Sequence, residues 1–156
     1  MEFNRAKVVD KNFTAAVTEG RFPTSRLGTE STYSCNDDLL AGLFESQIIS
    51  RQFDLKAREM KERDACFYTI GSSGHEGNCV FGRLFRPDDM AFLHYRSAAF
   101  FIERARKSPG STPLYDLALS FVSSSEDPIA GGRHKVFGSA ETVSYTHLTL
   151  PTNREV

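Results

Sequence analysis

Tryptophan is absent from this chain, cysteine is scarce, and neither sign of charge prevails. The thirteen phenylalanines dominate the aromatic set. Phenylalanine fills a core without needing a hydrogen-bond partner, so most of them are expected to be packing residues. Cys35, Cys66 and Cys79 are odd in number, widely spaced and without a Cys-x-x-Cys pair, which excludes a disulfide framework. Reduced thiols in a cytoplasmic protein are the expectation. A net charge of −1 leaves no electrostatic footprint for nucleic acid. No stretch approaches the roughly 18 apolar residues of a membrane span, and residues 1–7 lack the apolar core of a signal peptide. What remains is ordinary for a globular domain: 156 residues, 40% apolar and 25% charged, enough for one real core.

Along the chain, residues 1–36 read as an N-terminal arm: a short helix over 6–17, then a loop over 20–36 rich in Gly, Ser, Thr and Pro. At Asn36 a helix begins. The side chain of Asn36 suits the first free N–H groups, and Asp37 and Asp38 occupy the positive end of the dipole. Leu40, Phe44, Ile48 and Leu55 form its apolar face, with Leu39 and Leu43 beside it, and the helix is expected to run to about Arg63. Residues 66–70 look extended, and Gly71-Ser72-Ser73-Gly74 is a turn. Helices are expected over 75–84, over 97–107 with Ala98, Phe101, Ile102 and Ala105 on one side, and over 112–121 with Pro113 at its first position. A strand is expected over 90–94, and a polar loop hinged at Gly131-Gly132 follows the last helix. This alternation suggests an α/β layer fold of which residues 37–141 hold the beginning.

From about Thr142 the character changes. Residues 143–152 have no clear helical or strand period. They resemble a translated transposase-type sequencing adapter, whose codons can be read back from Val143 to Leu148. Residues 142–156 are therefore expected to be a non-native tail, and Tyr145 and His147 are kept out of any site. A real Thr-rich strand is the other reading.

Three segments hold residue types that can do chemistry: Tyr68 to Gly77, Ala91 to Ser97 and Gly131 to Ser139. The glycine-rich turn before a helix either cradles an anion at the helix N-terminus or simply makes a tight connection. It is not a Walker loop, since no Lys-Ser or Lys-Thr follows, nor a nucleophile elbow, since Ser73 is followed by Gly74 and His75. His94-Tyr95-Arg96 lies at the carboxyl end of the expected strand, where α/β sheets bind ligands. Arg96 offers a rigid fork of donors suited to phosphate oxygens, and Tyr95 adds a hydroxyl. A surface Arg beside a core Tyr is the bland alternative. His75 and His134 have no partner at metal-ligand spacing, so structural or hydrogen-bonding roles are expected.

Taken in order, Ser50-Arg51 and Arg58, then Gly74-His75-Glu76-Gly77, then Tyr95-Arg96, then Gly132-Arg133 and Gly138-Ser139 resemble the alpha subunit of thiamine-diphosphate-dependent 2-oxoacid dehydrogenases. The branched-chain, 2-oxoisovalerate type is the nearest, and the resemblance runs from about Leu39 to Ser139. It implies the N-terminal part of a three-layer, mostly parallel thiamine-diphosphate-binding fold. It also implies oxidative decarboxylation with acyl transfer to a lipoyl group. Tyr95 and Arg96 would hold the cofactor's diphosphate, with His94 beside them. Tyr68, with Phe67 next to it, would line the substrate pocket, and His134 would stand near the active-site mouth. Magnesium is implied too, but the family's Gly-Asp-Gly motif does not occur in this chain. The implied partners are a beta subunit, separate or fused, a lipoyl-bearing acyltransferase and a 2-oxoacid substrate, with no nucleic acid and no membrane. The chain as written is expected to be inactive alone. The alternatives are a pyruvate-type alpha subunit, a small non-enzymatic phosphate-binding module, and a non-functional fragment with aggregation-prone edges.

Overall fold

The computed structural model describes residues 4–22, 36–66, 69, 71–133 and 144–145. The chain divides into two compact units, Met1–Leu40 and Ala41–Val156. In the first, helix α1 (Arg5–Thr18) opens with Asn4 Oδ1 accepting from the Lys7 N–H at 3.2 Å. It closes where Gly20 adopts a φ of 65° and the Arg21 N–H reaches back to the Ala16 carbonyl at 2.8 Å. That left-handed stop is the ordinary work of a glycine. Most of the loop expected over 20–36 falls outside the described residues.

Helix α2 (Asp37–Glu62) starts where its sequence signals place it. Asn36 Oδ1 accepts from the N–H groups of Asp38 and Leu39 at 2.9 and 3.3 Å. Its buried face, however, is not the one that apolar periodicity selects. Leu40 and Phe44 are 46% and 50% exposed, and Ile48 and Leu55 are half-buried. The residues buried are Ser46, Ser50, Asp54 and Ala57, one stripe at successive helical turns. The reason lies in what faces it. In the second unit this stripe meets a buried glutamate and the backbone of the 71–74 turn, and small or acceptor side chains suit both.

The Gly71–Gly74 turn is followed by a single 3-10 turn over Glu76–Asn78 and helix α3 (Cys79–Leu84), which together replace the one helix expected over 75–84. Strand β1 (Ala91–Phe92) leads to α4 (Ala98–Ala105), and α5 (Pro113–Phe121) begins with proline at its first position. The expected strand over 90–94 is only two residues long. Its partner β2 (Ser144–Tyr145) offers two residues in parallel register, Ala91 with Ser144 and Phe92 with Tyr145. The tail, for which a non-native origin is the expectation and a real strand the other reading, supplies backbone pairing at this point. The described residues are mainly helical, and this pair is the whole of their sheet.

Helix α4 is the core. Every residue from Ala98 to Ala105 is buried, so the one-sided reading of Ala98, Phe101, Ile102 and Ala105 is too narrow. Phe100, Phe101 and Ile102 pack with Ala57, Ala91, Leu93, Leu117 and Phe121. Phe53 stacks on Phe121 at 5.6 Å, and Phe85 meets Phe100 edge-on at 5.5 Å. The other described phenylalanines, Phe13, Phe22, Phe44, Phe81 and Phe92, are exposed, so the packing expectation fails for half of the set. For Phe81 the cause is plain: α3 is six residues long and only one of its sides rests on α4.

Gly82 makes that contact close. A Cβ there would sit 2.5 Å from the Phe100 carbonyl oxygen. The Asn78 side chain, placed where it would cap α3, accepts instead from the Phe100 N–H at 3.0 Å and caps α4. Lys107 donates to the carbonyls of Arg83 and Phe85 at the end of α3, and burial lowers its pKa from 10.5. Two charges of α4 itself lie inside. Glu103 accepts from Ser46 Oγ at 2.6 Å and has Arg83 and Arg106 at 3.7 and 3.4 Å. Arg104 donates to the carbonyls of Pro87 and Asp89, and burial pulls its guanidinium below its ordinary range. No helix among the described residues is long and apolar enough to cross a membrane. Cys66 and Cys79 are free and buried.

Two predictions follow from this packing. Gly82→Ala forces the α3 backbone off Phe100 and lowers stability by about 1–3 kcal/mol, read as a lower thermal midpoint. Gly42→Ala, where nothing lies within 4 Å, raises it by about 0.5–1 kcal/mol. Equal shifts for the two variants would contradict the close approach. The second concerns acid. The Arg86 N–H and then its guanidinium hold the Asp89 carboxyl below its ordinary 3.8. A depressed folded value means the carboxylate stabilises above the unfolded value and loses this as pH falls through the folded one. Asp89→Asn therefore unfolds at lower urea near neutrality and loses less on acidification. An acid limb identical to that of the parent protein would remove Asp89 from the account.

Candidate functional site

The 71–74 turn is clamped onto α2 by one carboxylate. Asp54 Oδ2 accepts from the Ser72 backbone N–H at 2.6 Å and from the Ser72 hydroxyl at 2.8 Å. Ser50 Oγ donates to Ser72 Oγ at 2.9 Å. Ser50, Asp54 and Ser72 are all buried. At Gly71 a Cβ would lie 3.2 Å from the same Oδ2, so the absence of a side chain lets the turn settle against the helix. Ser72 is enclosed and is therefore a structural hydroxyl, not a nucleophile.

Three guanidinium groups gather on this turn. Arg51 Nη1 donates to Ser73 Oγ and lies 3.6 Å from Asp54 Oδ2. Arg58 Nη2 is 3.8 Å from the position a Gly71 Cβ would take. Arg96, from the segment after β1, donates through Nη1 to the Gly71 carbonyl at 2.5 Å.

The segment that delivers Arg96 is a tight turn between β1 and α4. The Ser97 N–H bonds the His94 carbonyl at 2.8 Å, which places Tyr95 and Arg96 at its corner. The rings then follow one another, His94 stacked with His75 and tilted against Tyr95. His94 lies 3.7 Å from Tyr95 and 6.1 Å from His75 between ring centroids, and the Arg96 Cζ stands 5.4 Å from the Tyr95 ring. Two segments read separately in the sequence, 71–75 and 94–96, are thus one site.

Its electrostatics follow from the count of groups. Three arginines surround the turn, and the buried acid among them is Asp54. Glu76, the nearest acid in the following segment, accepts from the Gly74 N–H at 2.7 Å. Such a set suits a small anion with several oxygens, because each guanidinium presents a planar fork of donors. Among the described residues no group of three or more His, Cys, Asp and Glu is placed to hold a metal ion. A separate groove of about 310 Å³ between α2, α4 and α5 is mostly apolar and contains none of the candidate site residues.

Of the sequence candidates, His94, Tyr95 and Arg96 stand together with His75. Phe67, Tyr68 and His134 lie outside the described residues. Sequence reasoning missed Asp54 and Ser72. The signal was present: Ser46, Ser50 and Asp54 recur at intervals of four, a polar stripe that an apolar pattern search passes over. In the sequence Arg51 and Arg58 are singled out only through the resemblance; Arg51 reaches Ser73, and Arg58, itself exposed, stands near Gly71.

Comparison with protein-family models, with curated proteins and with solved structures gives no match.

Proposed function

We propose that this chain contributes the diphosphate-anchoring part of a thiamine-diphosphate site in the alpha subunit of a 2-oxoacid dehydrogenase of branched-chain type. The observation that carries this reading is the convergence of Arg96, with Tyr95 beside it, on the same Gly71 turn that Arg51 and Arg58 approach. The fit can be judged from the donors. Guanidinium forks are suited to a diphosphate, whereas the N–H groups of Ser72 and Gly74 are held by Asp54 and Glu76, so the arginines carry the fit. Among the described residues no group of three or more His, Cys, Asp and Glu is placed to hold a metal ion, and the Gly-Asp-Gly that the resemblance associates with magnesium does not occur in this sequence, so no magnesium ligand is assigned.

On this reading Arg96 and Tyr95 hold phosphoryl oxygens and fix the cofactor's orientation. His94, against the Tyr95 ring, closes one side. Thiamine diphosphate, when bound, supplies the electron sink for decarboxylating a 2-oxoacid. Tyr68 and Phe67 would face that substrate, and His134 would lie at the mouth of the site. The beta subunit and a lipoyl-bearing acyltransferase are the partners in this reading. The cytoplasm is the compartment, and the fold is the opening portion of a thiamine-diphosphate-binding α/β domain. A small phosphate-binding module that is not an enzyme is the second reading. The same cationic turn favours it, since inorganic anions need only that turn.

Titration calorimetry of the chain with inorganic diphosphate tests the anchor. A charge-assisted hydrogen bond contributes about 1.5–3 kcal/mol, so Arg96→Ala weakens binding roughly 10- to 100-fold. Unchanged affinity would end the assignment. Thiamine diphosphate binding more tightly than inorganic diphosphate favours the enzyme reading, and equal affinities favour the module.

A further inference from the structure

We infer that Asp54 is a positioning residue for Arg96, acting through the 71–74 turn. The inference rests on the reading of Arg96 as the anion anchor, and adds a residue to it that touches no ligand. The chain of contacts is short. The Asp54 side chain is 5% exposed and takes both hydrogen bonds from Ser72 on one oxygen. Ser72 is the residue after Gly71, so fixing its N–H fixes the plane of the peptide whose carbonyl belongs to Gly71. That carbonyl is the acceptor for Arg96 Nη1 at 2.5 Å. The bare Cα of Gly71 keeps the peptide against the carboxylate, where a Cβ would sit 3.2 Å from Oδ2. Arg51, 3.6 Å from Asp54, offsets its buried charge and bonds the next residue of the turn, Ser73. One peptide plane therefore transmits the order of α2 to a guanidinium that comes from beyond β1.

A negative charge near an anion site ordinarily repels the ligand. Removing it should then tighten binding by simple electrostatics. Positioning predicts the opposite sign, and this separates the two. In Asp54→Asn the Ser72 bonds lose their ionic character, Arg51 loses its counter-charge, and the turn loosens. Arg96 is then no longer held at one acceptor.

The test uses the whole chain, with nitrogen-15 NMR of the Arg96 guanidinium and calorimetry with inorganic diphosphate. In the parent protein, rotation about the Arg96 Cζ–Nη1 bond is slowed by its acceptor. In Asp54→Asn it becomes fast, and diphosphate binds about tenfold more weakly, the loss expected from about 1.4 kcal/mol. The double variant Asp54→Asn/Arg96→Ala binds no more weakly than Arg96→Ala alone, because both changes remove one interaction. Ser72→Ala, which keeps the backbone N–H but not the hydroxyl, gives a smaller effect and serves if Asp54→Asn does not fold. Tightened binding, unchanged Arg96 rotation, or additive losses would overturn the inference. If Arg96 is freed while diphosphate affinity stays unchanged, positioning stands and the diphosphate reading falls.

Discussion

A buried carboxylate must be satisfied by donors, and in this chain the donors it finds are the backbone and hydroxyl of Ser72. The arrangement around the site follows from that constraint. The carboxylate comes from the third turn of a polar stripe on α2, so the helix must present serines where packing alone would ask for leucine. Because the acceptor is fixed on a rigid helix, the turn it holds is fixed as well. Arg51 and Arg58 come from the same helix and therefore reach the same turn. An anion site built this way has its donors arranged before a ligand arrives, and preorganisation of that kind reduces the entropic cost of binding.

The same helix face serves a second buried acid. Ser46 donates to Glu103, two turns away from Asp54, so one stripe satisfies the carboxylate of α4 at one end and the turn at the other. Burying Glu103 and Arg104 in a short central helix is costly unless each is hydrogen-bonded. Glu103 is surrounded by Ser46, Arg83 and Arg106, whereas Arg104 rests on two carbonyls and leaves Nε and Nη1 without partners. The core around α4 is thus held by polar geometry as much as by its phenylalanines. The close approach at Gly82 and the side-chain cap from Asn78 complete it.

The parts legible in the sequence were those decided by local chemistry. Asn36 with Asp37 and Asp38 marks the start of α2, Pro113 marks α5, and both begin there. The place of Tyr95 and Arg96 between a strand and a helix is also local, although the strand ends at Phe92 and leaves His94 in the turn. The buried face of α2 was not legible by apolar periodicity. Its neighbours are a glutamate 57 residues away and a serine 18 residues away, and nothing in the helix itself names them. The exposure of Phe44 and the brevity of β1 have a similar origin: each depends on what another segment offers. Arg51 and Arg58 show the converse, since charge on a helix surface gives no hint that a glycine turn will fold back against it.

The central claim, that α2 holds the turn through the Ser72 peptide, is tested most directly by amide hydrogen exchange at Ser72. An N–H bonded to a buried carboxylate exchanges only when the helix and turn separate. The expected result is that Ser72 exchanges as slowly as the amides of α4. Exchange at the rate of an exposed loop amide would mean that the carboxylate does not hold the turn, and the arrangement of Arg96 above it would lose its support.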